Sequence, residues 1–94
     1  MPRYIIERDL VGAGALSGAE LQAIARKSCE VLDGLGPKVQ WQESFVTDDK
    51  IYCVYIAPDE ASIRRHGELG GFPVTRVAQV KNVIGPTTAE SAAA

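Results

Sequence analysis

Histidine and cysteine, the residues that build most metal and nucleophilic sites, are scarce in this 94-residue chain. His66 is its single histidine, and its two cysteines, Cys29 and Cys53, have a spacing that matches no paired zinc or redox motif. A closed zinc or redox centre made of imidazoles and thiolates is therefore excluded. We expect both cysteines to be buried, reduced thiols.

The chain also lacks a strong excess of charge and any long apolar run. It has 10 basic and 12 acidic residues, for a net charge of -2, and the two signs are interleaved. This pattern indicates a mixed solvated surface, so neither nucleic acid nor a membrane is an expected partner. No apolar run reaches the length of a membrane span. The apolar run in the start MPRYIIERDL is also too short for a secretion signal. We therefore expect a cytoplasmic protein.

What the sequence does contain is a clear series of secondary-structure signals. Ser17 and Glu20 form the S-x-x-E pattern of a capping box, and Gly36 stops the helix that begins there. Asp59 is the expected N-cap of a second helix, closed by a glycine pair. Alternating apolar residues predict strands at 3–8, 39–47 and 76–84, and an unbroken apolar run predicts one at 50–57. In the second of these, Val39, Trp41 and Phe45 are expected on one side.

The order strand, helix, strand, strand, helix, strand is that of the ferredoxin-like α+β fold, βαββαβ. Right-handed crossovers would place both helices on one face of a four-stranded antiparallel sheet, with the first and third strands central. We predict a single domain over residues 1–85 and a flexible C-terminal tail over 86–94.

The third predicted strand has no polar side. The run from Ile51 to Ile56 is apolar at every position, so both of its faces should be covered. Two helices cover one face of a sheet, which leaves an apolar patch on the other face that monomers rarely tolerate. We therefore predict a homodimer that forms by stacking of the uncovered sheet faces.

Several segments carry a resemblance to a known family: MPRYIIERD, SCEVLDGLG, VQWQESFVTDDKIYCVYIAP and HGELGGFP. Together they resemble a bacterial domain-of-unknown-function family whose studied branch is described as nickel-binding dimers with a ferredoxin-like fold. The resemblance covers nearly the whole chain before the tail. It implies a dimeric binding protein without catalytic activity, with nickel or another divalent transition metal as its ligand and with His66 as the matching imidazole.

Carboxylates would have to complete such a metal site, because one imidazole does not hold nickel tightly. Glu7 lies on a predicted central strand, where a carboxylate is costly unless it is paired. Arg3 or Arg76 would be the expected ion-pair partner of Glu7. The alternative hypothesis is that Glu7, Asp9 and His66 converge at one end of the cleft between the sheet and the helices and act as metal ligands.

A small-molecule pocket is the other candidate site. His66 falls on the inward stripe of the second predicted helix, and aromatic residues of the strands could surround it. Ordinary core packing is the alternative for each of these residues. The predicted ligand-binding set is Glu7, Trp41, Tyr52, Tyr55 and His66.

Three functions are compatible with the sequence. The first is a cytoplasmic homodimer that binds a metal ion or a small ligand without catalysis. The second is a cofactor-independent monooxygenase or isomerase of the dimeric α/β-barrel type, using His66 beside an aromatic pocket; this rests on analogy of fold. The third is a purely structural or partner-binding role, since no nucleophile, base and orienting group form a recognisable motif.

Overall fold

A computed structural model describes residues 1–90 of the chain. Its elements follow the predicted order of strands and helices, with short 3-10 helices at Ala13–Ala15 and Pro86–Glu90. The strands and helices are β1 (Arg3–Asp9), α1 (Gly18–Leu35), β2 (Gln40–Val46), β3 (Lys50–Ile56), α2 (Glu60–Gly70) and β4 (Arg76–Gln79).

The four strands form one antiparallel sheet in the order β2-β3-β1-β4. The predicted ferredoxin-like α+β fold is confirmed, and β1 and β3 are central as expected. Alternate residues of the central strands are buried beneath the helices, and we call that side the helix-covered face and the other the open face. The buried residues of the two central strands are Tyr4, Ile6, Arg8, Ile51, Cys53 and Tyr55.

Both helix starts are fixed by the predicted caps. The Glu20 amide donates to Ser17 Oγ at 3.1 Å, and the Ser17 amide donates to Glu20 Oε1 at 3.1 Å, which completes the capping box. At α2 the Ser62 amide donates to the Asp59 carboxylate at 2.8 Å. These contacts satisfy amide groups that have no partner inside the helix.

The end of α2 explains the glycines in HGELGGFP. Gly71 has φ 70°, a left-handed conformation that favours glycine, and it ends the helix. A Cβ at Gly67 would lie 2.7 Å from Val74 Cγ2, and one at Gly70 would clash with the Phe72 ring. The missing side chains therefore let residues 72–74 fold back against α2 and bring Phe72 into contact with the core.

The two helices pack against the sheet to different degrees. In α2, Ile63, His66 and Gly67 are buried, as the predicted inward stripe requires. In α1, Ser28 alone among the helix residues is fully buried, and the leucines and isoleucine of its stripe are half-buried. The apolar stripe of α1 therefore faces a space between the helix and the sheet.

Two details of the strands differ from the prediction. A register shift between Trp41 and Glu43 marks a β-bulge, so Trp41 pairs with Tyr55 while Phe45 pairs with Tyr52 on the opposite side. The expectation of one shared side for Trp41 and Phe45 is therefore wrong. β4 is also shorter than predicted and ends at Gln79, because this edge strand pairs with β1 over four residues, up to the start of β1. The Val80 amide still donates to the Arg3 carbonyl at 2.8 Å.

After β4 the chain is exposed from residue 81 to residue 90. Val83 and Ile84, predicted to lie in the last strand, are exposed, and 86–90 form a 3-10 helix. The flexibility of the predicted 86–94 tail stays a prediction, and 91–94 lie outside the described residues. Cys53 is buried as predicted, whereas Cys29 is exposed because it follows Ser28 and so points away from the inward stripe.

The open face carries an apolar patch that is uncovered in one copy of the chain. Tyr52, Val54 and Ile56 of β3 are half-buried there, beside Ile5 at 42% exposed and Phe45 at 54% exposed. A single copy therefore covers only one face of β3, as the sequence indicates. None of the helices within residues 1–90 is long and apolar enough to cross a membrane.

Candidate functional site

A cavity of about 380 Å³ lies between α1 and the helix-covered face of the sheet. Leu21, Ile24 and Ala25 of α1 form one wall, and Trp41 and Tyr55 of the sheet lie opposite. The cavity exists because the apolar stripe of α1 stands away from the sheet. Its lining is predominantly apolar with a few polar groups, which is typical of small-molecule sites.

One group of polar atoms in the cavity wall centres on the Cys53 thiol. Arg8 Nε donates to Cys53 Sγ at 3.3 Å, and Ser44 Oγ donates to the same sulfur at 3.0 Å. Trp41 Nε1 in turn donates to Ser44 Oγ at 2.9 Å. These hydrogen bonds fix the orientation of Trp41 and Arg8 at the cavity surface.

A second polar group links the cavity to His66. The Nε2 atom of His66 lies 2.9 Å from Tyr55 Oη and 3.3 Å from Ser28 Oγ, and the two hydroxyl oxygens are 3.4 Å apart. Burial, reinforced by the positive charge of Arg8, lowers the pKa of His66 to about 4. Burial also raises the pKa of Tyr55. Near neutral pH this cluster therefore consists of a neutral imidazole and two hydroxyls.

Arg8 is the most unusual residue of the site. It is 5% exposed, its Nη1 donates to the Pro73 carbonyl at 2.8 Å, and its guanidinium lies 5.6 Å from the centre of the Phe72 ring. Within residues 1–90 its Nη2 has no hydrogen-bond partner and no carboxylate forms an ion pair with it. A buried cation normally requires such a partner.

The predicted ligand-binding residues separate into two groups. Trp41 and Tyr55 line the cavity, and His66 is fully buried directly behind Tyr55. Tyr52 and Glu7 lie on the open face, where they are paired neighbours, because side chains alternate between the faces of a strand. The structure therefore brings together three of the five predicted residues.

The predicted convergence of Glu7, Asp9 and His66 does not occur within one copy of the chain. Glu7 forms an ion pair with Lys50 instead of Arg3 or Arg76, and Asp9 Oδ1 lies 3.4 Å from the same ammonium group. Both carboxylates are on the open face, whereas His66 contacts the helix-covered face. No group of three or more potential metal-ligating residues is present in the part of the chain that the structure describes.

Sequence reasoning missed Arg8, Ser28 and Cys53 as members of the site. A signal for Arg8 was present, because the alternation of Tyr4 and Ile6 continues to position 8 and places an arginine on the buried side of a central strand. Ser28 likewise stands in the apolar stripe of α1. A polar residue in an apolar pattern was the available indication in both cases.

Comparisons with known proteins place this chain in a family. The chain matches the family model described as "Nickel responsive protein SCO4226-like" over residues 4–80. It is also similar to the crystal structure of SCO4226 from Streptomyces coelicolor A3(2), with a TM-score of 0.73 and 14% identity, covering 87% of this chain and 99% of that one. At this identity the likeness shows a shared fold. No curated protein matches the chain. Because the family model spans most of the sequence, the chain belongs to the SCO4226-like family of nickel responsive proteins.

Proposed function

We propose that the protein is a cytoplasmic homodimer that binds a small, mainly apolar molecule in the cavity between α1 and the sheet, without catalysing a reaction on it. The observation that carries this proposal is the cavity itself. It has an apolar wall on α1, and its polar groups are Arg8 and Tyr55 of the sheet and Ser28 of α1. The free thiols of Cys29 and Cys53 suit a reducing compartment.

The polar groups favour binding over acid–base catalysis. An efficient general acid or base has a pKa near the working pH. Here the pKa of His66 is lowered to about 4 while that of Tyr55 is raised, so both pKa values are moved further from neutral pH. His66 is also fully buried behind Tyr55. These features support a role in orienting a ligand and count against the monooxygenase or isomerase alternative.

Cavity filling tests the proposed function. Octanamide and octanoate are titrated calorimetrically into the wild type, Ala25→Phe and Ala23→Phe. Ala25 lines the cavity, so a ring there should weaken binding at least tenfold, whereas Ala23 is exposed on the same helix and its variant should bind like the wild type. The proposed function is wrong if the wild type binds neither compound.

We further propose that the open face is covered by a second copy of the chain. A chain of 94 residues buries a smaller fraction of its surface on folding than a larger domain does and is marginally stable alone. Burial of a side chain such as Tyr52, Val54 or Ile56 contributes roughly 1.5–3 kcal/mol. Stacking the same face of two copies satisfies the self-complementarity that a twofold dimer requires.

Light scattering after size exclusion measures the mass of Val54→Asp and of Val11→Asp. Val54 is central on the open face, so a carboxylate there should convert the dimer to a monomer. Val11 is 92% exposed in a loop, and the same change there should leave the dimer intact. A monomeric wild type at micromolar concentration would contradict the dimer.

Nickel is the second candidate ligand, supported by the description of the family. The residues of one copy do not fit a nickel centre, because His66 is fully buried and the carboxylates of Glu7 and Asp9 lie on the other face of the sheet. Oxygen donors alone also give little preference for nickel. In a calorimetric nickel titration of chelator-treated protein, His66→Gln should therefore behave like the wild type. Loss of a nickel-binding heat in this variant would restore the metal hypothesis.

A further inference from the structure

We infer that the ligand of the cavity is an organic carboxylate with an apolar body, and that Arg8 receives its carboxylate group. This inference rests on the proposed function and specifies the chemical class of its ligand. The positive charge of Arg8 at the cavity wall is not balanced by an acidic side chain among the described lining residues.

The Arg8 guanidinium is a buried cation without a counter-charge. Its Nε and Nη1 donate to the Cys53 sulfur and to a backbone carbonyl, and its Nη2 binds nothing within residues 1–90. An ion buried in this way loses its hydration, and the loss is offset only when an opposite charge and further hydrogen bonds are supplied. Unpartnered buried polar atoms are rare in folded proteins, and functional sites are one of the places where they persist.

The described residues do not supply the missing negative charge at this place. Arg8 is the one charged residue in the cavity lining formed by the described residues. The carboxylates of β1 that neighbour it in sequence, Glu7 and Asp9, are on the open face and are paired with Lys50. An anion in the cavity would therefore meet a positive potential that no described acidic side chain of the lining cancels.

Two hydroxyl groups accompany the guanidinium. Tyr55 and Ser28 both line the cavity, and their hydroxyls stay protonated near neutral pH and can donate hydrogen bonds. A planar guanidinium with adjacent hydroxyl donors suits a carboxylate, which accepts several charge-assisted hydrogen bonds. A single cation among apolar walls is a poorer match for a doubly charged phosphate group.

The rest of the cavity defines the remainder of the ligand. Leu21 and Ile24 of α1 and Trp41 of the sheet present apolar surface in the same cavity. A ligand that places a carboxylate at Arg8 would lay a hydrocarbon chain or an aromatic ring along these side chains, and burial of that surface would contribute to affinity. Medium-chain fatty acids and aromatic acids have this form.

Calorimetric titration with octanoate and octanamide tests the inference, because the two compounds share a chain and differ in charge. The wild type should bind octanoate at least tenfold more tightly than octanamide. Arg8→Met keeps an unbranched side chain and removes the guanidinium, so it should lose this preference. Arg26→Met removes an exposed arginine of α1 and should retain the preference.

The outcomes separate the two proposals. Equal affinity of the wild type for octanoate and octanamide would overturn the carboxylate inference and leave the apolar cavity as the binding site. A wild-type preference that survives in Arg8→Met would assign the anion to another residue and also overturn it. Binding of neither compound would overturn the proposed function as well. If Arg8→Met does not fold, the wild-type comparison of the two compounds still decides the case.

Discussion

Acidification should destabilise the protein through His66, before general acid unfolding. The imidazole is 0% exposed and is surrounded by Tyr55, Ser28, Phe72 and, at longer range, the positive charge of Arg8. Burial and this charge lower its pKa from 6.5 to about 4. In the unfolded chain the group takes up a proton near pH 6.5, whereas the folded protein takes it up near pH 4. The unfolded state therefore binds more protons between these values, and stability falls as the pH falls through that window.

The magnitude follows from the difference in pKa. A shift of this size corresponds to a loss of about 3 kcal/mol in the free energy of unfolding between pH 7 and pH 4. Domains of this length have total stabilities of roughly 5–15 kcal/mol. The protonation of one side chain should therefore remove a substantial share of the stability of the protein.

Urea denaturation of the wild type and His66→Gln at pH 7, 5.5 and 4 measures this effect. The glutamine side chain that the change introduces is close to the volume of imidazole and can hydrogen-bond but does not titrate. Carboxylates that titrate in the same window contribute to both proteins and cancel in the difference. We expect the stability advantage of the wild type over the variant to shrink by about 3 kcal/mol from pH 7 to pH 4.

A difference that stays constant with pH would refute the reasoning. It would mean that His66 has the same pKa in the folded and unfolded states, and hence that its imidazole is solvated in the folded protein. The hydrogen-bonded cluster of His66, Tyr55 and Ser28 would then not exist in solution.

Four further substitutions test the structure through stability. Ser17→Ala removes a side of the capping box and should lower the free energy of unfolding by about 1 kcal/mol, measured by urea denaturation; no change would mean that the cap is absent. Gly34→Ala, with open space around its Cβ, should stabilise α1 by roughly 0.5–1 kcal/mol, whereas Gly67→Ala meets Val74 and should lower the melting temperature. Equal effects at the two glycines would contradict the packing. Arg8→Met removes a buried charge that forms no ion pair among the described residues and should raise the melting temperature without ligand; a clear decrease would show that the lost contacts of the guanidinium outweigh the cost of burying its charge.

Much of the architecture was accessible from the sequence, because it depends on local signals and on periodicity. The capping box at Ser17, the N-cap Asp59 and the glycine pair at 70–71 fix where the helices begin and end. The two-sided apolar run of β3 identifies a central strand. The alternation of β1 even carried the information that position 8 faces the buried side.

Other features depend on interactions between distant segments. The bulge in β2 moves Phe45 to the open face and leaves Trp41 over the cavity, and a single inserted residue of this kind does not appear in a pattern of apolar positions. β4 stops at Gln79 although apolar residues continue, because a strand at the edge of a sheet extends only as far as its neighbour pairs with it.

The sequence by itself determined the order of the elements, the central strands and the inward direction of His66, because each follows from side chains within a few residues of one another. Only the tertiary structure decided that Glu7 and Asp9 pair with Lys50 and lie on the opposite side of the sheet from His66. It also decided that α1 stands away from the sheet, leaving the cavity beside Arg8. Partner choice and empty space depend on how separate segments pack, and no local pattern along the chain encodes them.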